Sequence, residues 1–298
     1  MTAMDLRHLR YFTCVAEELH FGRAALRLGI SQPPLSQQIR ALEVELGAQL
    51  LERTSRRVRL TEAGRQFLPE ARATMAQADQ AARTARLAHR GDVGRLRLGF
   101  STSVPFIPRV VDALSRFRQA YPQVSLELDE LPRDEQLSRL ERGLLDVAIL
   151  RTFSKPDLPA NMRSLRIQLE GVMLAMRQDH PLAQRTDALT LEDVRGEPMI
   201  MFGASNGAGL NERLLEQCQV LGFEPNVAIE TASFATLLGL TAAGLGVTIL
   251  SRSLMRLNVD TLAFRPLEVP FTSELLMLHM DAPSPSTNNF RGMIAEPQ

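Results

Sequence analysis

The stretch from His20 to Leu60 constrains the fold of this 298-residue chain more than any other segment. It reads as two short helices that are joined by a tight turn and followed by a basic hairpin. Gly29 supplies the turn, because glycine adopts a left-handed backbone at little cost. Ser31 is placed to cap the second helix, whose first turn tolerates prolines that lack an N–H group. The apolar positions that recur along that helix at helical spacing are Leu35, Ile39, Leu42 and Leu46.

The opposite face of the second helix is polar and carries no carboxylate before Glu43. With about 100° of rotation per residue, this face presents hydroxyl, amide and guanidinium groups. Such groups donate to phosphates and to base edges in the major groove, so the face is suited to duplex DNA. The solvated face of an ordinary helical hairpin is the alternative interpretation. The residues predicted to contact DNA from the turn and this helix are Ser31, Gln32, Pro33, Ser36, Gln37 and Arg40.

Four arginines crowd the predicted hairpin between Leu50 and Leu60. A basic hairpin beside a DNA-reading helix is suited to contacting phosphates or the minor groove. In isolation, such a segment would be interpreted as a solvated run of charges. The hairpin residues predicted to contact DNA are Arg53, Arg56 and Arg57.

The sequence from Arg7 to Gly64 closely resembles the N-terminal winged helix-turn-helix of LysR-type transcriptional regulators. The segments AA-x-x-L, SQPPLSQQI, LE-x-x-LG and LTEAG occur in that order. Leu51 departs from the phenylalanine that is usual there, a core substitution that leaves the surface unchanged. The resemblance implies a sequence-specific DNA-binding regulator that a small-molecule effector controls, nearest to the family's regulators of aromatic catabolism.

The distribution of charge agrees with a nucleic-acid partner for the N-terminal part. The whole chain is neutral, but residues 1–93 contain 14 arginines against 10 acidic residues, so they carry +4 and the remainder carries −4. The N-terminal part is therefore the better partner for a polyanion. No apolar run approaches the ~18 residues that span a bilayer, so no membrane partner is predicted. The N-terminus lacks an apolar signal core, which predicts a cytoplasmic protein.

A long helix is predicted from Thr61 to about Arg90. Its small and apolar residues recur with a period of seven: Leu68, Ala71, Met75, Ala78, Ala82 and Ala85. Such an alanine seam buries little by itself, so it predicts close antiparallel packing against a second helix. The resemblance implies the linker helix through which subunits pair, in a dimer or a homotetramer. Pro69 removes one backbone hydrogen bond early in this helix.

From Arg95 onwards strands alternate with helices, which predicts βαβ organisation with a parallel sheet. Two sets of strands predict two lobes, joined by crossings near Arg163–Leu169 and Leu262–Leu267. The resemblance is looser here and rests on FRQAYPQVSLEL, ERGLLDVAIL, DHPLA and LTAAGLGVTIL. Ser251 stands where a proline often follows the last strand of that group, and the polar C-terminus after Pro283 predicts a stunted final helix.

The predicted fold class is therefore multi-domain. It combines an all-α winged helix-turn-helix and long linker helix with an α/β, two-lobed effector domain that resembles periplasmic binding proteins. The predicted bounds are 1–60 for the DNA-binding domain, 61–90 for the linker helix and 95–298 for the effector domain, with lobe I at about 95–162 and 268–298 and lobe II at about 163–267.

Ligands of such sheets bind at the carboxyl ends of strands, against helix N-termini. Four such ends offer hydroxyls, free backbone N–H groups, one guanidinium and two aromatic rings. Simple helix capping is the alternative for each Ser or Asp that precedes a helix. The residues predicted to bind the effector are Ser101, Thr102, Ser103, Arg133, Phe202, Gly203, Ala204, Thr231, Ser233 and Phe234.

Arg133 carries most of the prediction about the effector. In the family's regulators of aromatic catabolism, which the chain resembles, a threonine that contacts the effector often occupies this place. An arginine favours a carboxylate or phosphate through bidentate pairing. A salt bridge with Asp134 or Glu135 is the alternative. Because two rings accompany the guanidinium, the predicted effector is a small aromatic or unsaturated carboxylate.

Two other classes of protein compete with the regulator. A solute-binding protein of a transport system would explain only residues 95–298. An enzyme would need a catalytic constellation, but the five histidines are scattered and no HExxH, G-x-S-x-G or phosphate loop occurs. The two cysteines support neither a metal site nor a disulfide framework, and no cofactor is predicted. The predicted partners are double-stranded DNA, a small-molecule effector and further copies of the chain, with RNA polymerase left open.

Overall fold

The computed structural model describes residues 4–54, 57–154, 156–203, 209–257 and 259–295. The chain folds into two compact units, Met1–Leu87 and Ala88–Gln298. None of the described helices is both long and apolar enough to cross a membrane.

The first unit contains a helical core, a short hairpin and most of a long helix. Its elements are α1 (Leu6–Glu18), α2 (Phe21–Leu28), α3 (Gln32–Leu46), β1 (Leu51–Arg53), β2 (Val58–Leu60) and α4 (Glu62–Arg90). Gly29 ends α2 with a φ of 68°, a conformation that glycine adopts more readily than other residues. Ser31 occupies the N-cap position of α3, as predicted, but its side chain makes no capping hydrogen bond.

The apolar faces of α1, α2 and α3 meet in one core. Leu35, Ile39 and Leu42 are fully buried there, as their helical spacing predicts, and Phe12 of α1 packs against the same cluster. Leu51 of the hairpin is also fully buried, so its departure from phenylalanine lies inside the core and not on the surface. The hairpin itself is antiparallel, with Leu51 opposite Leu60.

Helix α4 is 29 residues long and contains Pro69. Ala71 is buried against the first unit's core, and Met75 packs partly against the same cluster. Farther along the helix, Ala82 and Ala85 are exposed within a single chain. The outer part of the alanine seam therefore packs against no other described element of its own chain.

The second unit is an α/β structure. Its strands are β3 (Val93–Phe100), β4 (Gln123–Glu130), β5 (Val147–Thr152), β6 (Met162–Glu170), β7 (Val172–Arg177), β8 (Leu189–Thr190), β9 (Met199–Phe202), β10 (Val227–Thr231), β11 (Thr248–Ser251), β12 (Leu262–Glu268) and β13 (Ser273–Met280). Its helices are α5 (Pro108–Ala120), α6 (Arg133–Glu141), α7 (Leu210–Val220), α8 (Phe234–Ala242) and α9 (Pro285–Ala295).

Lobe I is built on a five-stranded sheet with the order β4-β3-β5-β13-β6. Strand β3 pairs in parallel with β4 and β5, whereas β13 runs antiparallel to β5 and β6. Helices α5 and α9 cover one face, where the rings of Phe117 and Phe290 meet edge to face at 5.7 Å. Helix α9 spans 11 residues, so the predicted stunted helix is wrong. The helix has few apolar residues, but Phe290 and Ile294 among them are fully buried and attach it to the sheet.

Lobe II contains two further sheets. Strands β11-β7-β12-β8 form one of them, in which β7 is antiparallel to both of its neighbours, and β9 and β10 pair in parallel. A bridge between Met199 and Val247 connects the two groups of strands. Parallel pairing therefore prevails around β3 in lobe I but not in the main sheet of lobe II.

The two crossings between the lobes lie farther along the chain than predicted. Strand β6 pairs with β13 along its whole length, so it belongs to lobe I, and the first crossing falls at Gly171. Strand β12 pairs with β7 in lobe II, so the second crossing covers residues 269–272. The predicted crossings and the lobe boundary at 162/163 are therefore wrong. The sequence of β6, MRSLRIQLE, alternates between apolar and polar residues from Leu165 to Glu170, which is typical of a strand, but the prediction assigns this segment to a crossing.

A buried ion pair of lobe I lies next to these crossings and forms hydrogen bonds with lobe II. Arg151 of β5 and Glu170 of β6 pair with side chains that are 5% and 7% exposed. Ser253, in the turn after β11 of lobe II, contacts both partners. Its Oγ accepts from Arg151 Nη2 at 3.0 Å, and its N–H and Oγ donate to the Glu170 carboxylate at 2.9 and 2.8 Å. Burial lowers the pKa of the Arg151 guanidinium below its ordinary value, and Glu170 opposes that shift.

Two more serines complete this group. Arg151 also donates to Ser273 Oγ at the start of β13, and Ser251 of lobe II donates to the same oxygen at 3.0 Å. The family resemblance implies a proline at this position, and a proline could not make the contact between the lobes that the Ser251 hydroxyl makes. We refer to Arg151, Glu170, Ser251, Ser253 and Ser273 as the interlobe network.

The interlobe network leads to a prediction about stability. Arg151→Met should lower the free energy of unfolding of the second unit by about 3–5 kcal/mol, because it leaves a buried carboxylate without its cation. The double substitution Arg151→Met with Glu170→Met should lower it much less. Urea titration of the full chain, with hydrogen exchange of β5 and β13 as the readout, measures both changes.

A matched control uses the exposed pair Arg163–Asp281, whose side chains are 61% and 42% exposed. Arg163→Met should have a small effect, because solvent screens this pair. If the double variant at Arg151 and Glu170 lost as much stability as its two single variants combined, the two side chains would not be energetically coupled.

Candidate functional site

The N-terminal part of α3 presents an exposed polar face. Of the residues predicted to contact DNA from this region, Ser31, Gln32, Pro33, Gln37 and Arg40 are exposed and Ser36 is partly buried. The guanidinium of Arg40 forms no ion pair with any residue that the structure describes. Its donors are therefore free to bind an external acceptor such as a base edge or a phosphate.

Glu43 connects this helix to the hairpin. Its Oε1 accepts from the backbone N–H groups of Leu50 and Leu51, each at 3.0 Å, and its Oε2 pairs with Arg53 at 2.6 Å. The Arg53 guanidinium also lies over the Phe21 ring, 4.9 Å from its centroid. Arg53 thus anchors the hairpin to the helices, and these contacts speak against its predicted role in contacting DNA. Sequence reasoning treated Glu43 only as the first carboxylate of the helix and missed this function.

The same contacts leave the surface electrostatically suited to a polyanion. The negative charge of Glu43 is turned inward and paired, so it does not oppose an approaching phosphate. On the hairpin, Arg57 is exposed, whereas Arg56 lies outside the described residues. An exposed helix face with free donors and an adjacent arginine can bind the backbone and the base edges of a duplex together.

A second candidate site lies between the two lobes of the second unit, in a cavity of about 640 Å³. This volume is typical of pockets for small molecules. The predicted effector-binding residues that line it are Ser101, Thr102, Ser103, Arg133, Phe202 and Phe234. The predicted residues Gly203, Thr231 and Ser233 do not line it, and Ala204 lies outside the described residues.

Thr231 and Ser233 have local structural functions instead. Thr231 Oγ1 accepts from the Ser233 N–H at 3.2 Å, and Ser233 Oγ accepts from the Thr236 N–H at 3.4 Å as the cap of α8. The capping alternative is therefore the better interpretation of these two residues. Their hydroxyls satisfy backbone donors at the start of a helix, which every helix requires.

Several residues of the cavity were missed by sequence reasoning. Phe153 and Ser154 follow β5, which is parallel to β3, so the rule that found the other strand ends also applies to this one. Glu130 ends β4, three residues before the predicted Arg133. The sequence does not indicate that Arg151 and Arg213 line the cavity, because their positions depend on how distant elements pack.

Arg133 is the unpaired cation of the cavity among the described residues. It begins α6, and neither a hydrogen bond nor an ion pair is formed by its guanidinium there. Its neighbour Glu135 pairs with Arg139 at 2.6 Å, so it does not pair with Arg133. The other two guanidinium groups of the cavity are paired, Arg151 with Glu170 and Arg213 with Glu216. Among the described residues of the cavity, Arg133 is therefore the group best able to bind an anionic ligand.

One wall of the cavity is aromatic. The rings of Phe202 and Phe234 are stacked, with centroids 5.8 Å apart and an interplanar angle of 10°. Leu150, Ile249 and Leu254 add aliphatic surface. A flat apolar body packs well against such a wall, while the polar end of the same ligand reaches Arg133. In the described part of the chain, no group of His, Cys, Asp and Glu residues could hold a metal ion.

Comparisons with known proteins agree with the division of the chain into two units. Residues 6–65 match the family model of the bacterial regulatory helix-turn-helix protein of the lysR family, and residues 89–297 match the LysR substrate binding domain. An uncharacterized HTH-type transcriptional regulator of Escherichia coli, YnfL, is 43% identical over 292 residues, which is 97% of each chain. The regulator AlsR of Bacillus subtilis is 39% identical and covers 86% of this chain, with 84% of its own length matched.

Solved structures give the same result for the fold. The crystal structure of full-length CbnR complexed with its target DNA has a TM-score of 0.83 and 27% sequence identity, and it covers 98% of both chains. These matches confirm the predicted fold class, a helix-turn-helix unit followed by a two-lobed α/β unit. The relatives are transcriptional regulators and not enzymes, and nothing among them supports the alternative of a transport protein.

Proposed function

Because the chain belongs to the LysR family of bacterial transcriptional regulators, we propose that it reads a specific duplex sequence through α3. The observation that carries this proposal is the exposed face of α3, which has free donors and where the first carboxylate of the helix, Glu43, is paired inward. The N-terminal residues of α3 enter the major groove, with Gln37 and Arg40 at base edges. Arg57 of the hairpin contacts phosphate. The relative CbnR, which was crystallised with its target DNA, supports this arrangement.

The first test separates base contacts from phosphate contacts. Arg40→Ala should weaken binding to a selected duplex by about 1–3 kcal/mol and relax the preference at one base pair. Arg57→Ala should weaken binding to all duplexes alike and reduce the slope of the salt dependence by about one. Gel-shift titration against a duplex selected from a random library measures both effects.

Arg118→Ala is the control, because it removes the same charge from an exposed position on the second unit. Its affinity and salt dependence should remain those of the wild type. Wild-type affinity of the Arg40 and Arg57 variants would contradict the assignment of this surface to DNA.

We further propose that two subunits associate along α4. The support is the exposed outer part of the alanine seam, which can bury its surface only against a partner. Two-fold pairing would present two copies of α3 to a site with dyad symmetry. The tetramer predicted from family resemblance would add a second such contact through other surfaces.

Charge placed in the seam tests this assembly. Ala82→Asp should dissociate the subunits and abolish specific DNA binding together, because Ala82 is exposed in the single chain and its substitution leaves the fold intact. Gln80→Asp is the matched control, since Gln80 lies about 200° away around the helix. Light scattering at micromolar concentration measures the assembly, and an oligomeric Ala82→Asp protein would rule out pairing through this seam.

For the effector, we propose a small aromatic or unsaturated carboxylate bound in the cavity between the lobes. The support is the combination of the unpaired Arg133 with the stacked rings of Phe202 and Phe234. Ligand binding would shift the population of lobe arrangements in proportion to its differential affinity for them. The shift would reach the DNA through the spacing of the subunits.

A thermal-shift screen of carboxylic acids and their amides tests the proposed effector. An acid that stabilises the wild type should lose its effect in Arg133→Ala, because bidentate pairing with the carboxylate is gone. Arg139→Ala is the control on the same helix, since Arg139 pairs with Glu135 and does not line the cavity. If neutral amides stabilised the wild type as strongly as the acids do, the carboxylate would not be what Arg133 recognises.

A further inference from the structure

We propose that the cavity selects an acid that also carries a hydrogen-bond donor, a hydroxyl or amino group, which it holds against Glu130. The inference rests on the proposed function, because the acid group is assumed to pair with Arg133. It adds a second requirement. The ligand must also carry a hydrogen-bond donor, placed so that it reaches Glu130 while the acid group pairs with Arg133. The direction of two hydrogen bonds in the cavity carries this inference.

The hydroxyl of Ser103 is set to donate to a ligand. Arg151 Nε donates to Ser103 Oγ at 3.1 Å, so this oxygen already accepts a hydrogen bond from the interlobe network. Among the described residues, no acceptor receives the hydroxyl hydrogen of Ser103. That hydrogen is therefore available to an oxygen of a ligand carboxylate, on the same lobe as the donors of Arg133.

The neighbouring hydroxyl, that of Thr102, has the opposite role towards a ligand, since it can only accept. Thr102 Oγ1 donates its hydrogen to Glu130 Oε1 at 2.8 Å, so its remaining capacity is to accept. Glu130 Oε2 has no partner among the described residues, and an ionised carboxylate can only accept. Thr102 and Glu130 together form an acceptor site, which a ligand hydroxyl or amino group satisfies and a hydrocarbon does not.

The donor side and the acceptor side lie close together on one edge of a sheet. Ser103 and Thr102 follow β3, whereas Glu130 ends β4 and Arg133 follows it by three residues. Strands β3 and β4 pair in parallel, with Phe100 opposite Glu130 in the register. One small molecule can therefore reach both sides at once.

The balance of charge favours the same class of ligand. The unpaired carboxylates that line the cavity are Glu130, Asp134 and Glu212, and Arg133 is the unpaired cation among the described residues. An acid without a donor group adds a further negative charge to a cavity that already contains these carboxylates. An aliphatic amino group brings a compensating positive charge, whereas a hydroxyl or an aromatic amino group brings a neutral donor. An acid with any of these groups is better matched to the cavity than a plain acid.

Matched ligands provide the experiment. The probes are benzoate, 3-hydroxybenzoate, 3-methoxybenzoate and 3-aminobenzoate, together with 3-phenylpropionate, 3-phenyllactate and phenylalanine. The methoxy compound keeps the oxygen but cannot donate. Calorimetric titration of the full chain should give, in at least one of the two series, an affinity for the donor-bearing acids that is about tenfold or more above that of their partners.

Variants of the protein test whether Glu130 causes the preference for donor-bearing acids. Glu130→Gln preserves size and an acceptor for Thr102 but removes the charge, so the tenfold preference should shrink while the affinity for the plain acid persists. Glu127→Gln is the matched control, because it lies on the same strand and outside the cavity. Its preference should equal that of the wild type.

The outcomes separate this inference from the proposed function. If plain, methoxy and donor-bearing acids bind equally, or if the preference survives Glu130→Gln unchanged, the inference is overturned and the carboxylate effector stands. If none of these acids binds while their neutral amides, such as benzamide and 3-phenylpropionamide, do, both are overturned. A preference that is lost in Glu130→Gln and kept in Glu127→Gln establishes the acceptor site.

Discussion

The second unit depends on one interaction, the buried ion pair between Arg151 and Glu170. Moving two charges out of water is costly, and their attraction offsets that cost only when hydrogen bonds satisfy the remaining donors and acceptors. The serines of the interlobe network meet this need, and they come from both lobes. Lobe I and lobe II therefore meet in one arrangement in which every member of the network is bonded, and other arrangements break some of these bonds.

This constraint also determines the chemistry of the cavity. Arg151 belongs to the network, yet it lines the cavity and donates to Ser103. The network thus decides that the Ser103 hydroxyl is a donor towards a ligand. A ligand that binds one lobe arrangement better than another must work against these same bonds, so the network sets how much differential affinity an effector needs in order to move the lobes.

Patterns within short segments of the sequence predicted most of the fold. They failed where the structure depends on contacts between distant parts of the chain. Helical spacing placed Leu35, Ile39 and Leu42 in the core, because periodicity is a property of one helix. The boundary between the lobes was wrong, since the pairing of β6 with β13 joins segments about 110 residues apart. At the sites, Arg133 and the rings of Phe202 and Phe234 were found from strand ends. The sequence predicts Arg53 to contact DNA because it does not reveal that Glu43 holds this side chain.

The central claim is that α3 directs this chain to particular sequences of duplex DNA. Chromatin immunoprecipitation with sequencing tests it most directly, with the wild type compared with a Gln37→Ala variant that folds and assembles normally. We expect a limited set of wild-type sites that share a dyad-symmetric motif and that the variant loses or occupies weakly. The absence of discrete wild-type sites, or identical sites with equal occupancy in the variant, would contradict it.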